Sequence, residues 1–377
     1  RAFGLSAWLA GLGGIIWAFS SYFFILIPAG HIWKFVTLAY IPPTIAGVVL
    51  AYRKKYLLGG VITALFIALQ IQSNHIQMSY YFMFVILFFI IAYFVDAYEK
   101  KELPHFFKAS AILALAAVVG VCVNISNLYH TYEYSKETMR GKSELKQEGP
   151  AANQTSSGLD RDYITNWSYG IGETLTLLVP NVKGGGCSTT LSQNETAMAK
   201  ANPMYGNLYS QLTPYFGDQP WTAGPVYVGA FVVFLFILGC FIVKGPLKWA
   251  LLGATIFSIL LSWGKNFMGL TDFFIDYIPM YNKFRAVSSI LVIAEFTIPL
   301  LAIFALKEIL SKPDTLKLKE NRGGVIATLV LTAGVALILA VAPGTFFSGF
   351  ITTQEMAALK QGLPAEHLAP LVANLTE

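Results

Sequence analysis

Nine long apolar stretches occupy most of this 377-residue chain, and they constrain its fold more than any other feature. A stretch of about 18 or more apolar residues is long enough to cross a bilayer as a helix. The chain is 55% hydrophobic but only 12% charged, too little charge to cover a soluble protein of this size. The sequence therefore predicts an all-α polytopic membrane protein. The nine predicted spans are 3–26, 34–52, 56–72, 77–96, 106–128, 224–244, 247–263, 285–310 and 324–343.

The basic residues predict how these spans are oriented. Of the 26 Lys and Arg residues, 13 lie on short connections that alternate with connections lacking them, such as 27–33 and 73–76. Because cytoplasmic loops carry the excess of Lys and Arg, the basic connections are predicted to be cytoplasmic. The positions of these basic residues, and not the net charge of +5, are therefore informative, because they indicate the orientation of the spans. No nucleic-acid partner is predicted. The basic residues concerned are Arg53, Lys54, Lys55, Lys100, Lys101, Lys108, Lys244, Lys248, Lys307, Lys312, Lys317, Lys319 and Arg322.

This orientation divides the chain into four regions. Residues 1–128 and 224–343 hold the spans, 129–223 form a large extracytoplasmic loop region, and 344–377 begin another extracytoplasmic segment. Within 129–223 we expect a mobile loop around 140–160 and a short helix that includes Glu173. The stretch 265–284 is apolar but too short and too charged to span, so it predicts an interfacial or re-entrant helix. In the second span, the pair Pro42-Pro43 predicts a kink or break.

Motifs of soluble enzymes are absent from the sequence. It has no phosphate-binding loop of the Gly-x-x-x-x-Gly-Lys type, no His-Glu-x-x-His and no Gly-x-Ser-x-Gly. The three cysteines support neither a disulfide framework nor a zinc site. No cofactor or metal is therefore predicted. Binding of a divalent metal ion remains an alternative, although no carboxylate pair has a clear ligand spacing.

Ionisable residues near the predicted outer membrane face are the candidates for function, because charge beside a bilayer is costly and tends to be functional. A cation there can neutralise the phosphate of a lipid-linked donor, and a carboxylate can take the proton of an acceptor hydroxyl. Simpler interpretations also stand: Glu173 as an exposed charge on a surface helix, and Arg285 as a snorkelling membrane anchor. Glu295, inside the eighth span, should pair with a neighbouring helix or face a cavity. The other candidates are His31, Lys34, His75, Asp218 and Lys283.

Four motifs resemble those of the YfhO family of bacterial membrane proteins, in the same order along the chain. They are 74–82 (NHIQMSYYF), 167–173 (WSYGIGE) followed by 179–181 (VPN), 215–229 (YFGDQPWTAGPVYVG) and 281–285 (YNKFR). The resemblance covers most of residues 3–345. It implies a GT-C-type fold and a glycosyltransferase that takes sugar from a polyprenyl-phosphate donor at the extracytoplasmic face of the bacterial inner membrane.

This resemblance also implies partners and roles. The partners are membrane lipid, the polyprenyl-phosphate sugar, and an envelope polymer or glycolipid acceptor. Arg285, with Lys283 or Lys34, would bind the donor phosphate. The residues that would bind sugar or acceptor hydroxyls are His75, Glu173 and Asp218. GT-C enzymes generally carry their catalytic acid in the first outer loop, so we expect the general base to precede this sequence, which we expect to lack residues at both ends.

Two other functions remain open at this stage. A lipid or polysaccharide transporter or flippase would also need many spans, although such proteins usually show repeated halves and polar groups at the membrane midplane. A non-catalytic scaffold could bind envelope enzymes through 129–223.

Overall fold

The computed structural model describes residues 1–141, 155, 158–347 and 349–376. Throughout these ranges the regular elements are helices, and no strand is present. The predicted all-α class is therefore confirmed. The loop expected around 140–160 falls mostly on residues outside the described ranges.

The first part of the chain folds into eight helices. They are α1 (Ala7–Ala18), α2 (Ser21–Leu26), α3 (Ile32–Ala39), α4 (Ile41–Tyr52), α5 (Tyr56–Gln72), α6 (Ile76–Glu99), α7 (Leu103–Cys122) and α8 (Ile125–Lys136). The predicted break in the second span is confirmed, because α3 ends at Ala39 and α4 begins two residues later. Pro42 and Pro43 lie in the first turn of α4, where a missing N–H breaks no helical hydrogen bond.

The long connection after α8 contains only short helices in its described part. They are α9 (Arg161–Thr165), a 3-10 helix at Gly172–Leu177, α10 (Glu195–Lys200) and α11 (Gly206–Tyr209). The short helix predicted to include Glu173 is therefore present, as a 3-10 helix. Glu173, Thr176 and Leu177 are buried in it, so this helix belongs to the packed structure.

The C-terminal part begins with apolar helices and ends with two polar ones. The helices are α12 (Ala230–Ile242), α13 (Pro246–Ser262), α14 (Met268–Tyr277), α15 (Val292–Ser311), α16 (Lys319–Leu329), α17 (Val335–Val341), α18 (Thr353–Gly362) and α19 (Ala365–Thr376). The chain bends by 108° between α13 and the helical stretch Gly264–Tyr277. This bend agrees with the prediction that 265–284 does not continue straight across the membrane.

The expected number of spans, nine, needs correction. Six helical units are long and apolar enough to cross a membrane, or seven if the bent pair forms one span, in the part of the chain that the structure describes. The predicted spans 56–72 and 224–244 form shorter apolar helices of 17 and 13 residues. Residues 225–229 are apolar but not helical, so α12 is only about 20 Å long. The hydrocarbon core of a bilayer is about 30 Å thick.

Helix α15 lies at the centre of the molecule. Of the 18 most apolar consecutive residues in its apolar unit, Val287–Ser311, 83% are buried, against at most 56% in the other candidate spans. Helices α1, α12 and α13 pack directly against it. The remaining long helices surround this group and expose their apolar outer faces, as expected for helices that contact lipid.

Two cavities mark the opposite ends of the helices. One is lined by Leu26, Lys34, His75 and Ser289, which lie where α2 ends and where α3, α6 and the α15 unit begin. The other is lined by residues from the far ends of α4, α6 and α15, including Arg53 and Lys100. We call the first the loop end and the second the basic end. Arg53, Lys54 and Lys100, from two of the predicted basic connections, thus lie at the same end of the helices.

Close contact between α4 and α5 depends on glycine. A Cβ at Gly59 would lie 2.5 Å from the Ala51 nitrogen and 2.7 Å from the Gly47 carbonyl oxygen. We expect Gly59→Ala to destabilise the protein by about 1–3 kcal/mol, because the two helices would have to separate. Thermal unfolding of detergent-purified protein measures this, with Gly14→Ala as the control because its Cβ would meet no atom within 4 Å. Equal melting temperatures for the two variants would contradict the packing described.

Candidate functional site: a cationic cavity at the loop end

The cavity at the loop end has a volume of about 570 Å³ and is open to the surroundings. Among the described residues, five basic side chains line it and no carboxylate does. We call it the cationic cavity. The five residues are His31, Lys34, His75, Arg140 and Arg285. They come from the starts of α3 and α6, from the segment after α8 and from the segment before α15, so the fold brings together residues far apart in sequence.

Lys34 provides the most deeply placed charge. It lies in the first turn of α3 and is only 8% exposed. Its Nζ donates a hydrogen bond to Ser289 Oγ at 3.4 Å, and it forms no ion pair within the described ranges. A buried ammonium group is usually paired with a carboxylate, because losing water around a charge is costly. The missing partner makes Lys34 suited to an anionic ligand.

Arg285 is exposed at the rim of the cavity and is held by aromatic side chains. Its NH1 donates to Tyr163 Oη at 2.8 Å, and the guanidinium lies over the Tyr163 and Trp167 rings, 5.3 and 5.8 Å from their centroids. Its carbonyl accepts a hydrogen bond from Gln77 Nε2 at 2.7 Å. These contacts orient the guanidinium without neutralising it, so its charge stays available to a ligand.

Lys283 and Arg140 form a reciprocal contact. Arg140 Nε donates to the Lys283 carbonyl at 3.0 Å, and Lys283 Nζ donates to the Arg140 carbonyl at 2.6 Å. Of the two, only Arg140 lines the cavity. Lys283, which was predicted to bind phosphate, instead holds Arg140 in place. Burial lowers the pKa of the Lys283 ammonium.

The charged side chains near the two histidines of the cavity, His31 and His75, are mainly cationic. Burial and the nearby Lys34 charge lower the pKa of His75 to about 4, and its Nδ1 is buried without a hydrogen-bond partner in the described ranges. Burial also lowers the pKa of His31, as do the charges of Lys34 and Arg285. Both imidazoles are therefore neutral at pH 7 while the cavity is empty.

Glu173, predicted to bind substrate, does not line the cationic cavity. It is 2% exposed, so the alternative of an exposed charge on a surface helix is wrong. Its Oε1 accepts from Tyr215 Oη at 2.5 Å, and its Oε2 accepts from the Gly170 and Asp218 backbone nitrogens at 2.7 and 3.2 Å. Burial raises its pKa. This carboxyl group joins two loops of the connection.

Asp218 is exposed and also lies outside the cavity lining. Its Oδ2 accepts from Asn266 Nδ2 at 2.9 Å, and its carbonyl accepts from Lys265 Nζ at 3.0 Å. These bonds attach the connection to the bend before α14. Of the six predicted site residues, the cavity thus brings together three: Lys34, His75 and Arg285.

The role of Glu173 can be tested by removing only its charge. In Glu173→Gln, the amide NH₂ would face hydroxyl and N–H donors, leaving buried groups unsatisfied. We expect a loss of about 1–3 kcal/mol in unfolding free energy, measured by thermal or denaturant unfolding. Glu195→Gln, which changes an exposed carboxylate of the same connection, is the control. A Glu173→Gln protein as stable as this control would contradict the joining role.

One wall of the cavity is aromatic and uncharged. None of its residues is among the six predicted site residues, although Trp167, Tyr169, Gln219 and Trp221 lie within the YfhO-like motifs. Trp167 Nε1 donates to the Trp221 carbonyl at 3.2 Å, and Ser288 Oγ donates to Gln219 Oε1 at 3.2 Å. Aromatic faces beside amide and hydroxyl groups are able to stack on a sugar ring and bond its hydroxyls. The residues of this wall are Tyr22, Trp167, Tyr169, Gln219, Trp221, Ser288 and Ser289.

Glu295 is buried in α15, away from the cavity lining. Its Oε2 accepts a hydrogen bond from Ser20 Oγ, at the junction of α1 and α2. The prediction that it pairs with a neighbouring helix is therefore confirmed. Its Oε1 has no hydrogen-bond partner in the described part of the chain.

A metal site is not evident in this region. In the described ranges, no three His, Cys, Asp or Glu side chains are grouped so that they could hold a metal ion. The basic groups of the cavity would in any case repel a cation. The arrangement favours an anionic ligand.

The helices and this site define a polytopic helical membrane protein with a cationic cavity at one end of its helices. No protein-family model, curated protein or solved structure matches the chain. The YfhO resemblance therefore stays a prediction.

Proposed function

We propose that this protein is a GT-C-type glycosyltransferase of the bacterial inner membrane. It would transfer a sugar from a polyprenyl-phosphate donor to an envelope polymer or glycolipid acceptor at the extracytoplasmic face. The observation that carries the proposal is the cationic cavity, whose described lining contains five basic side chains and no carboxylate. The four YfhO-like motifs support the reaction class.

The position of the cavity suits a lipid headgroup. It lies where α2 ends and where α3 and α6 begin, at the boundary between apolar helices and the polar connection. The phosphate of a prenyl lipid lies at this level of a bilayer. Lys34 and Arg285 can offer charged hydrogen-bond donors to its oxygens, an interaction stronger than one between neutral groups.

The aromatic wall is assigned to the sugar. Trp167 and Trp221 supply ring faces, and Gln219 supplies an amide, on the same cavity that holds the cations. During transfer, the bond between the sugar's anomeric carbon and the phosphate oxygen breaks, and that oxygen keeps the electron pair. The anomeric carbon then bonds to an acceptor hydroxyl oxygen, whose proton is released. Basic residues stabilise the charge left on the departing prenyl phosphate.

The basic residues and the aromatic wall of the cavity are assigned to ligand binding and charge stabilisation. The part of the lining that the structure describes contains no carboxylate, and the proposal assigns no general base to it. In this proposal the loop end faces the exterior, since the basic end carries the Lys and Arg residues that favour the cytoplasm.

The proposal is tested with farnesyl phosphoglucose, a short-chain phosphodiester donor, and protein in lipid nanodiscs. Binding is followed by native mass spectrometry, and release of farnesyl phosphate is followed on adding a cell-envelope fraction as acceptor. We expect saturable binding and acceptor-dependent release, both reduced in Arg285→Lys because its planar donor geometry is lost. The control is Lys265→Gln, which removes a cation outside the cavity lining.

Other outcomes would support the remaining functions. Movement of the probe across liposomes without release of farnesyl phosphate would replace the proposal with a transporter or flippase. Absence of binding in both the wild type and Arg285→Lys would contradict the proposal. A non-catalytic scaffold would then be the remaining function.

A further inference from the structure

The cationic cavity contains more charge than one phosphodiester neutralises. Lys34, Arg140 and Arg285 are three cationic side chains, and the described residues that line the cavity include no carboxylate to offset them. A lipid monophosphate-linked sugar carries one negative charge, so two of these cations would remain uncompensated. Like charges close together in a partly desolvated site repel strongly, and this repulsion favours a ligand with more negative charge.

The cations are also placed at two depths. Lys34 is 8% exposed and bonds Ser289 on the cavity wall, whereas Arg140 and Arg285 are exposed at the rim. A single phosphate has to bridge the two levels, whereas each of two linked phosphates can occupy one of them. The cavity volume of about 570 Å³ is within the usual range of ligand pockets, roughly 300–1,000 Å³.

The two arginines keep free donors for this purpose. Arg140 uses Nε for the Lys283 carbonyl, and Arg285 uses NH1 for Tyr163 Oη. Within the described ranges, the other guanidinium nitrogens of both residues make no hydrogen bond. A guanidinium fixed at one nitrogen and free at the others is well suited to bind phosphate oxygens through two bonds.

From these observations we infer that the preferred ligand of the cationic cavity is a diphosphate-linked sugar, with one phosphate at Lys34 and the other at Arg140 and Arg285. This inference rests on the proposed function and narrows its donor class from phosphate to diphosphate. The diphosphate could be carried by a prenyl lipid or by a nucleotide, and both present the same two charges.

The test compares three probes on the full chain in nanodiscs at pH 7. They are farnesyl phosphoglucose, farnesyl diphosphoglucose and UDP-glucose, which differ in phosphate number or in carrier. We expect farnesyl diphosphoglucose to bind at least tenfold more tightly than the monophosphate. Arg140→Gln should reduce this ratio to below about threefold, whereas Lys265→Gln, outside the cavity, should leave it unchanged. Arg140 is exposed, so its variant is expected to fold.

Each other outcome has a separate meaning. Equal affinity for the two farnesyl lipids would overturn the diphosphate inference and leave the proposed function standing. No binding of either lipid would overturn both. If UDP-glucose binds as tightly as farnesyl diphosphoglucose, the preference for a diphosphate is supported. The proposal that the donor is a membrane lipid is then overturned. A tenfold preference that survives in Arg140→Gln would overturn the assignment of that arginine.

Discussion

Replacing Lys34 and Arg285 together with glutamine is expected to weaken binding of farnesyl phosphoglucose by roughly 100-fold or more, since each lost charged hydrogen bond is worth about 1.5–3 kcal/mol. Lys34 contributes the deep charge and Arg285 the rim charge of the same cavity. Glutamine keeps much of the side-chain length, so the change removes mainly charge. Isothermal calorimetry or native mass spectrometry on nanodisc-embedded protein measures the affinity.

The matched control for this pair is Lys265→Gln with Lys136→Gln. Both residues lie on the same side of the helices as the connection, and neither lines the cavity. The control should bind within about threefold of the wild type, because distant exposed charges are screened by salt. Equal weakening in both double variants would show that general surface charge, and not the cavity, attracts the probe.

Binding of an anion should strengthen as the pH falls. In the empty cavity, the His75 pKa is about 4 and the His31 pKa is below its ordinary value, so both are neutral at pH 7. A bound phosphodiester raises both pKa values, because it adds a negative charge beside them. Binding then takes up protons, and affinity rises by as much as about tenfold per pH unit for each proton. The rise should appear between pH 7 and 5 in titrations with farnesyl phosphoglucose, whose charge is constant there.

The empty protein should respond in the opposite direction. Unfolded histidine takes up protons near its ordinary pKa, whereas folded His75 does so only near pH 4, so stability falls as the pH drops through this range. In the double variant His31→Gln and His75→Gln, both pH effects should be reduced. A pH-independent affinity in the wild type would contradict the assignment of these histidines to the ligand site.

Much of the fold could be predicted because it depends on local features of the sequence. The length of each apolar stretch predicts a helix, and the positions of the basic residues predict which helix ends lie together. All nine apolar stretches contain helices. The errors concern 56–72 and 224–244, whose helices of 17 and 13 residues are shorter than those that qualify as spans. In 224–244, residues 225–229 are apolar but not helical, with Gly229 at φ 108°. Hydropathy measures transfer into lipid and does not separate helix from extended chain, so it overstated the length of α12.

The site could be predicted only in part. Lys34, His75 and Arg285 are detectable because they lie at the ends of apolar stretches. Arg140 lies in a polar connection, and only the tertiary contact with Lys283 brings it to the cavity. Glu173 has the charge of a ligand-binding residue, but the loops that donate to it come from distant positions. Composition and spacing do not contain that information.

The central claim is that the cationic cavity binds the anionic headgroup of a membrane lipid. A cryo-electron microscopy structure of the full chain in nanodiscs with farnesyl phosphoglucose tests it most directly. We expect phosphate density within hydrogen-bond reach of Lys34 Nζ and the Arg285 guanidinium, with the prenyl chain directed into the bilayer. An empty cavity, with the probe bound elsewhere on the protein, would contradict it.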